Sequence, residues 1–283
     1  MRSVCCSVCG SCHSRRYLEE GNFTVVTCME CGHLYTAPLP EDEMVAASYM
    51  ASGNWIKPTD MAVRSGADSR FLQYAVALER IIPPKAKVIE IGCSKGRFLY
   101  LLQQHGFECY GVEPSRDAEV ASKLLGTDRI WNTFYNQPLP IAADAVTMFE
   151  VLEHIPEPHE TALMIFEQLC PGGYFMGSVP NGAFIRAKVW PRRKFGLRSL
   201  VVPLIMDAGN HINYFSPRGI QAMLERIGFE FLWVRNAPLD FNYTANRLSP
   251  LVKGLWWVLA QLPASLTGSL LGSNIWFLAR RPR

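Results

Sequence analysis

Four cysteines near the N-terminus have the spacing of a metal site. They lie in two C-x-x-C-G turns, at residues 6–10 and 28–32, with eighteen residues between Cys9 and Cys28. Two tight turns of this kind can present four thiolates to one tetrahedral zinc ion, and each trailing glycine allows left-handed backbone. Because four thiolates leave no open coordination position, the zinc would be structural. The predicted ligands are Cys6, Cys9, Cys28 and Cys31.

Four more residues of metal-binding type lie beside these turns, and we interpret them as surface or packing residues. They are Cys5, Cys12, His13 and His33. The opening residues, MRSVCCSVCG, lack the apolar run of a secretory signal. Nine cysteines without such a signal indicate a reducing compartment, where paired cysteines bind metal more often than they form disulfides. We therefore expect a cytoplasmic protein.

A second group of polar side chains surrounds a turn that contains glycines. Glu90 lies in an apolar run, and Gly92 follows that run directly. Gly96 closes the turn, and Glu113 ends the next apolar run. The glycines allow the backbone to bend sharply and to approach a ligand closely. Glu113 could accept hydrogen bonds from both hydroxyls of a ribose, and this strand–turn–helix–strand–acid order therefore predicts an adenosine-containing ligand.

The glycine pattern differs from that of a dinucleotide site. In the G-x-G-x-x-G pattern, the glycines let a pyrophosphate rest on a helix N-terminus. Here Ser94 stands in place of the middle glycine, and Arg97 follows Gly96. Glu90 could hold an ammonium group but would repel a pyrophosphate. The turn therefore favours a ligand with a positive charge, and a dehydrogenase is the least favoured class of enzyme.

Two histidines are candidate general bases, since the ordinary pKa of an imidazole lies near neutrality. His154 follows a predicted strand, and His211 lies in the segment NHINYF at residues 210–215. Each has an alternative role. Glu153 and His154 could cap the segment that follows them, and His211 could anchor a loop.

These groups require an alternating series of strands and helices to hold them. Apolar runs predict seven strands, at residues 88–91, 109–112, 129–134, 145–149, 174–179, 230–235 and 274–279. Helical periodicity between them is typical of a mostly parallel sheet with helices on both faces. In such sheets ligands bind beyond the carboxyl ends of the strands, where Glu113 and His154 fall. The predicted fold is α/β, a Rossmann-like, doubly wound, mostly parallel seven-stranded sheet with a small N-terminal zinc ribbon.

Together these motifs resemble class I S-adenosylmethionine-dependent methyltransferases. The resemblance is carried by E-x-G-x-x-x-G at residues 90–96, the acid Glu113, EVLEHIPEP at 150–158 and LCPGGYFMGSVPN at 169–181. It is strongest for the branch that includes the ubiquinone-type O-methyltransferases, and it covers roughly residues 70–235. The resemblance implies that S-adenosylmethionine is the methyl donor.

The resemblance also implies which residues hold the donor and which face the acceptor. The donor-binding residues would be Glu90, Gly92, Cys93, Gly96, Glu113, Asn132 and Phe149. His154 and His211 would lie near the acceptor as the catalytic candidates. Because the donor is already activated, catalysis would consist mainly of in-line positioning and exclusion of water. A base would help only if the acceptor atom were a hydroxyl oxygen or an acidic carbon.

We divide the chain into a zinc ribbon at 1–40, a linker with a helical lid at 41–84, and a methyltransferase domain at 85–283. The domain carries insertions at about 182–210 and 238–272. Within the linker, residues 51–68 could close over the site as a lid or could be plain connecting structure.

Both insertions have compositions that suggest a use. The first interleaves basic and aromatic residues, which could grip phosphates and stack on rings or could form a solvated charged loop. These residues are Arg186, Lys188, Trp190, Arg192, Arg193, Lys194, Phe195 and Arg198. The second contains residues 251–271, which are rich in Leu and Trp but are interrupted by Pro263 and Gly268, so a spanning helix is not expected. We expect a buried cap or an oligomer face there, ahead of a patch on a membrane surface.

The composition is that of a globular protein with one large domain and a small appendage. Of its 283 residues, 49% are hydrophobic and 19% charged, and the net charge of +3 is too small to require a nucleic-acid partner. We expect methylation of a small or carrier-linked acceptor, such as an anionic sugar or lipid. One alternative is an RNA methyltransferase that reads RNA with the ribbon and the basic insertion. The other is a module that binds S-adenosylmethionine without turnover.

Overall fold

The computed structural model describes residues 4–39, 69–196, 206, 208, 211–238, 258, 270 and 272–283. The predicted linker and lid at 41–68 lie outside these residues. Residues 197–205 of the first insertion and nearly all of the 251–271 segment also lie outside them. The predictions for these segments therefore remain predictions.

The described residues alternate between strands and helices over most of the chain. In chain order the elements are β1 (Ser14–Glu20), β2 (Phe23–Cys28), β3 (Leu34–Thr36), α1 (Ser69–Glu79), β4 (Lys87–Ile91), α2 (Arg97–Gln104), β5 (Glu108–Val112), α3 (Asp117–Leu125), β6 (Ile130–Trp131), β7 (Ala143–Phe149), α4 (Pro158–Gln168), β8 (Leu169–Pro180), α5 (Gly182–Phe195), β9 (Asn213–Tyr214), α6 (Pro217–Ile227), β10 (Glu230–Asn236) and β11 (Asn274–Arg280). A 3₁₀ turn, Leu152–His154, follows β7.

Seven strands form the large sheet, in the order β10-β11-β8-β7-β4-β5-β6. The neighbours from β8 to β6 are parallel, whereas β11 is antiparallel to both β8 and β10. The chain fills the sheet in one direction from β4 and in the other from β7, so the carboxyl ends of these two strands border a crevice. This confirms the predicted mostly parallel, doubly wound, seven-stranded sheet.

The ribbon forms a second, antiparallel sheet. In the hairpin of β1 and β2, Glu20 pairs with Phe23 across a two-residue turn at Gly21 and Asn22. β3 pairs with β2 on one edge and with β9 of the large domain on the other. The order is therefore β1-β2-β3-β9, and its last strand comes from the segment just after His211.

Helices cover both faces of the large sheet, and one of the two cores continues into the ribbon. Phe98 is buried under the helices of one face, and Met223 is buried on the other. The core that contains Met223 also contains Cys6 of the ribbon. Phe215 is completely buried where the two units meet, with its ring centroid 5.1 Å from that of His33. The ribbon is thus packed into the body of the protein.

Two predicted strand boundaries are wrong. β8 begins at Leu169 and not at residue 174, because residues 170–173 form an irregularity within the strand: Ala143 pairs with Leu169, but Ala145 pairs with Tyr174. β6 contains only two residues, since it pairs with β5 only at Gly111 and Val112.

The first insertion begins as a helix, so the alternative of a charged loop is wrong for residues 182–195. The side chain of Asn181 caps α5 by accepting hydrogen bonds from the N–H groups of Ala183 and Phe184, at 3.1 and 3.4 Å. Gly196, with a φ of 65°, ends the helix in the left-handed conformation.

We expect Phe215→Ala to lower the free energy of unfolding by about 3–5 kcal/mol, because it opens a cavity between the ribbon and the sheet. Denaturant unfolding followed by circular dichroism would measure the change. Phe134→Ala is the matched control, since the side chain of Phe134 is 42% exposed and its loss should cost only about 0.5 kcal/mol. A loss at Phe215 no larger than that of the control would contradict the shared core.

Candidate functional site

The structure brings the four predicted zinc ligands together. The Sγ atoms of Cys6 and Cys31 are 3.5 Å apart, those of Cys9 and Cys28 are 3.4 Å apart, and all four lie within 4.8 Å of one another. Four thiolates around one tetrahedral zinc ion would be roughly 3.8 Å apart, given a zinc–sulfur distance of about 2.3 Å. The cluster therefore fits the predicted structural zinc.

Each cysteine pair lies in a tight turn. The N–H of Gly10 donates to the carbonyl of Cys6 at 2.8 Å, and Gly32 makes the same bond to Cys28 at 3.0 Å. Both glycines are left-handed, with φ of 76° and 74°. Burial alone would raise the pKa of the Cys28 thiol, but the backbone N–H groups around it lower this pKa to about 7. A stabilised thiolate of this kind is a suitable metal ligand, whereas burial raises the pKa of the Cys6 and Cys31 thiols, whose thiolates a bound cation would have to stabilise.

The structure corrects one interpretation of the neighbouring residues. Cys5 and Cys12 form a disulfide, where we expected two surface or packing residues. The first cysteine turn causes this, because it folds the chain back and places the two Cα atoms 4.2 Å apart. The other two residues behave as expected. His33 is a buried packing residue that stacks on Tyr35, and His13 is an exposed residue.

The glycine turn after β4 is constrained by both conformation and space. Gly92 and Gly96 have φ of 76° and 75°. A Cβ atom on Gly92 would overlap Val151, and one on Gly96 would lie 2.9 Å from the Cβ of Ala121. The N–H of Gly92 also donates to the carbonyl of Val112 at 2.8 Å, which holds the turn against the end of β5. No other residue type fits either position without strain.

Two buried carboxyls flank this turn, and they are held differently. Glu113 is 7% exposed, and its two oxygens accept hydrogen bonds from the N–H groups of Ser94 and Ser115, both at 2.9 Å. Glu90 is 4% exposed, and its Oε2 has no hydrogen-bond partner among the described residues. Burial, and then repulsion from Glu113, raise the pKa of Glu90 well above its ordinary value. A cation bound beside Glu90 would relieve both effects, so the cradle fits a positively charged ligand.

Three further residues predicted to bind the donor surround the cradle. Asn132 donates from Nδ2 to the carbonyls of Glu113 and Ser115, at 2.9 and 2.8 Å, and so fixes the loop that carries Glu113. Cys93 is buried, and burial raises its pKa well above the ordinary value, so its thiol is neutral. Phe149 stacks on Tyr74 with the ring centroids 4.4 Å apart. Direct contact of these three residues with a ligand stays a prediction.

The two candidate bases, distant in sequence, lie side by side in the structure. The ring centroids of His154 and His211 are 5.0 Å apart. The N–H of Ile212 donates to the carbonyl of Glu153 at 2.8 Å, which holds the two segments together. Both histidines are half-buried at the carboxyl side of β7, on the rim where the glycine turn also lies.

Glu153 is a candidate functional residue that we did not predict from the sequence. This side chain is 1% exposed, its Oε1 is 3.7 Å from Nε2 of His154, and its Oε2 has no partner among the described residues. Burial, followed by repulsion from Glu150, raises the pKa of Glu153 well above its ordinary value. One ligand atom from each of Glu153, His154 and His211 lies within 4.8 Å of the others, so the group could hold a cation or exchange a proton. The signal was the motif E-x-x-E-H, in which we treated Glu153 only as a cap.

Glu150 has an unusual backbone and a fixed side chain. Its φ is 55°, which is rare for a residue other than glycine. Oε1 accepts a hydrogen bond from Ser178 at 2.7 Å, and Oε2 accepts one from Asn274 at 2.5 Å. These bonds to β8 and β11 fix the direction in which the chain leaves β7, and so fix where His154 lies.

Three arginines of α5 contact the ribbon, which we did not predict from the sequence. Arg186 donates to the carbonyl of Gly32 at 2.5 Å, and Arg192 pairs with Glu20 at 3.1 Å. Arg193 lies over the ring of Tyr17 at 4.8 Å. These arginines therefore contact a carbonyl, a carboxylate and an aromatic ring of the ribbon, where we had considered that they could bind the phosphates of a ligand. In the part of the chain that the structure describes, no helix has the length and hydropathy needed to cross a membrane.

Comparisons with known proteins agree with this architecture. A family profile described as a methyltransferase domain matches residues 63–233. The ubiquinone biosynthesis O-methyltransferase of Psychrobacter arcticus is 28% identical over 185 residues, which are 60% of this chain and 65% of that protein. The protein of the same name from Pseudomonas fluorescens is 27% identical over 149 residues, or 46% of this chain and 64% of that protein. The chain thus spans just under two thirds of the length of these relatives.

Solved structures share the fold at low sequence identity. A chain of the complex between the Haloferax volcanii Trm112 methyltransferase activator and the methyltransferase superposes with a TM-score of 0.55 and 15% identity, covering 84% of this chain and 98% of that one. An S-adenosylmethionine-dependent methyltransferase structure from Listeria monocytogenes gives a TM-score of 0.52 and 13% identity, covering 74% and 97%. At this identity the likeness concerns the fold alone.

We expect purified protein to contain one zinc ion per chain and Cys28→Ser to lose it, because three thiolates cannot close the site. Elemental analysis by mass spectrometry would measure the metal content. Cys170→Ser is the matched control, since Cys170 is a free cysteine outside the cluster and its loss should leave the zinc in place. Wild-type protein without zinc would contradict the prediction.

We also expect Glu90→Gln to make the donor-free protein less sensitive to rising pH. The folded-state pKa of Glu90 is raised, so its contribution to stability is present below the unfolded pKa and is lost as pH rises toward the folded pKa. Between about pH 5 and pH 8, wild-type protein should therefore lose more of its melting temperature than Glu90→Gln does. Thermal melts of both proteins, with the exposed Glu119→Gln as the control, would measure the difference. Parallel melting curves for all three would contradict the prediction.

Proposed function

Since the chain belongs to the class I S-adenosylmethionine-dependent methyltransferases, as the matched methyltransferase domain and the seven-stranded sheet show, we propose that it methylates an acceptor held beside His154 and His211. One observation carries this proposal: a buried carboxyl at Glu90 whose Oε2 has no hydrogen-bond partner among the described residues, beside a left-handed glycine turn and a second buried carboxyl. Such a cradle suits a nucleoside that carries positive charge and disfavours a pyrophosphate.

The residues of the cradle have separate roles in holding S-adenosylmethionine. Glu90 would pair with the ammonium group of the donor, and Glu113 would accept hydrogen bonds from its ribose hydroxyls. Glu113 can do so because each carboxylate oxygen accepts more than one hydrogen bond. Asn132 fixes the loop that carries Glu113, and Phe149, stacked on Tyr74, would line the adenosine side of the donor. When bound, S-adenosylmethionine supplies a methyl group already activated by its sulfonium charge.

The chain's own contribution is orientation, removal of water and management of one proton. The rim group of Glu153, His154 and His211 lies at the carboxyl side of β7, across the crevice from the glycine turn. A neutral imidazole there can accept the proton that a hydroxyl acceptor loses when it is methylated. Glu153 lies beside this imidazole, with its Oε1 3.7 Å from Nε2 of His154, and burial raises the pKa of its carboxyl, which favours the protonated form.

We infer that the acceptor atom is a hydroxyl oxygen of a small or carrier-linked molecule. The relatives are named as O-methyltransferases, and the imidazole pair provides the base that such an oxygen needs. The RNA alternative has less support, because Arg186, Arg192 and Arg193 of the basic insertion contact the ribbon. It predicts binding that falls steeply with salt, so a salt titration with a structured RNA would test it.

Calorimetric titration tests the donor assignment. We expect S-adenosylmethionine to bind and NAD not to bind, and Glu113→Ala to weaken binding by about 100-fold or more, since two hydrogen bonds to a charged group are lost. Glu119→Ala, in an exposed position on α3, should bind as wild type does. Equal affinity for S-adenosylmethionine and NAD would contradict the assignment.

Transfer of a radiolabelled methyl group from S-adenosylmethionine tests the acceptor side. A panel of phenols, nucleotide-linked sugars, anionic lipids and RNA should yield a labelled product from one class. With that acceptor, His154→Gln and His211→Gln should each lower kcat by roughly 10²–10⁴-fold if the residue is the base. His159→Gln, on α4, is the control for a histidine elsewhere. Tight donor binding without a product from any class would support the module that binds without turnover.

A further inference from the structure

The ribbon contacts the segment of His211 through main-chain and side-chain hydrogen bonds. β3 pairs with β9, and Tyr35 is opposite Asn213 in the register. One residue further, the N–H of Thr36 donates to the carbonyl of Ile212 at 2.8 Å. The hydroxyl of Thr36 donates to the carbonyl of His211 at 3.2 Å. Thr36 is 1% exposed, so the ribbon fixes both carbonyls in a site closed to water.

A second connection begins inside the cysteine turns. Ser7, which lies between two of the cysteines, donates from its hydroxyl to Oδ1 of Asn213 at 3.0 Å. Nε2 of His33 lies 3.4 Å from the same oxygen. On its other side, Asn213 donates from Nδ2 to the carbonyl of Ile155 at 2.9 Å. Asn213 is buried, and it links the cysteine cluster to the turn that carries His154.

The body of the protein holds the same segment from the opposite side. The N–H of Ile212 donates to the carbonyl of Glu153, and the hydroxyl of Tyr214 donates to the carbonyl of His211 at 3.1 Å. β9 therefore lies between the ribbon and the 3₁₀ turn, and it moves only if one of these neighbours moves. Glu113 of the donor cradle, by contrast, accepts its hydrogen bonds from Ser94 and Ser115, which lie outside the ribbon.

We propose that the cysteine ribbon is one wall of the acceptor site. Whether its four cysteines hold a zinc ion sets the position of His211, through Thr36 and Asn213. Thr36 and Asn213 are positioning residues, because they act on His211 and touch no reacting group. A zinc ion held by the four cysteines would fix the turns that carry Ser7 and His33. The donor cradle lies on other strands of the sheet, and Glu113 accepts its hydrogen bonds from residues outside the ribbon. The proposal rests on the proposed function only where it assigns His211 to the acceptor.

Removal of the metal from the full chain is the first test. After chelation of zinc, we expect the amides of residues 212–214 to exchange with deuterium at least roughly tenfold faster, because β9 loses the neighbour that holds it. The imidazole resonance of His211, assigned with His211→Asn, should shift or broaden. Calorimetry should find the dissociation constant for S-adenosylmethionine within about twofold of its starting value.

The two measurements distinguish the two proposals. Failure of S-adenosylmethionine to bind the zinc-loaded chain would overturn the proposed function and leave the exchange result intact. Fast exchange in the ribbon, for example at Val26, with unchanged exchange at residues 212–214, would overturn the positioning role. Re-addition of zinc should restore the slow exchange and the original resonance of His211.

A single side chain provides the second test. Thr36→Val keeps the shape of the residue and removes the bond to the carbonyl of His211, so exchange at residues 212–214 should rise about two- to tenfold. Thr36→Ser keeps the hydroxyl and should restore the wild-type rate. Thr27→Val is the matched control, since Thr27 is a buried threonine of the same sheet that does not contact His211. A Thr36→Val chain that retains its zinc and exchanges at the wild-type rate would overturn the proposal. If Thr36→Val loses its zinc, the chelation experiment on the wild-type chain tests the proposal in its place.

Discussion

The burial of Glu90, whose Oε2 has no hydrogen-bond partner among the described residues, is the constraint on which the proposed donor site of this protein depends. Glu90 lies on a central strand of the sheet, where water is excluded and the neighbouring Glu113 repels its charge. Removal of a charge from water is unfavourable unless the charge is paired. The fold tolerates this at the end of β4, and the same feature gives a cationic nucleoside a partner that water cannot provide. The buried carboxyl of Glu90 would therefore both increase the affinity for the donor and lower the stability of the donor-free protein.

The proposed acceptor side follows a different principle, in which separate segments of the chain meet at one edge of the sheet. β7 delivers Glu153 and His154, and the chain returns with His211 only after β8 and α5. Glu150 fixes the exit from β7 through Ser178 and Asn274. The constellation thus depends on the order of the strands, because β7 and β8 must be neighbours and β11 must lie beside β8. A change in the order of these strands would therefore separate Glu153 and His154 from His211.

The sequence predicted the backbone around the glycine turn because its signals are local. The glycines, the acid Glu113 and the apolar strands lie within one strand–turn–helix–strand unit, where spacing alone determines the geometry. The two cysteine turns are local for the same reason. Glu153 was missed because burial of a carboxyl cannot be read from its neighbours in sequence.

Long-range contacts were the other source of error. The pairing of β3 with β9 involves only two residue pairs and joins segments far apart in the chain, so no periodicity indicates it. The arginines of α5 show the same limit. A basic and aromatic pattern identifies what a helix can bind, but only the structure shows that the ribbon occupies that position.

The β3–β9 pairing also bears on how this architecture could be inherited or rearranged. A unit that looks removable at the end of the first forty residues is completed by two residues that lie in the middle of another domain. Exchange of the amino-terminal segment between homologues would transfer an incomplete sheet and leave Asn213–Tyr214 with a foreign neighbour. We therefore expect the ribbon and Asn213–Tyr214 to be inherited together, although they are far apart in the sequence.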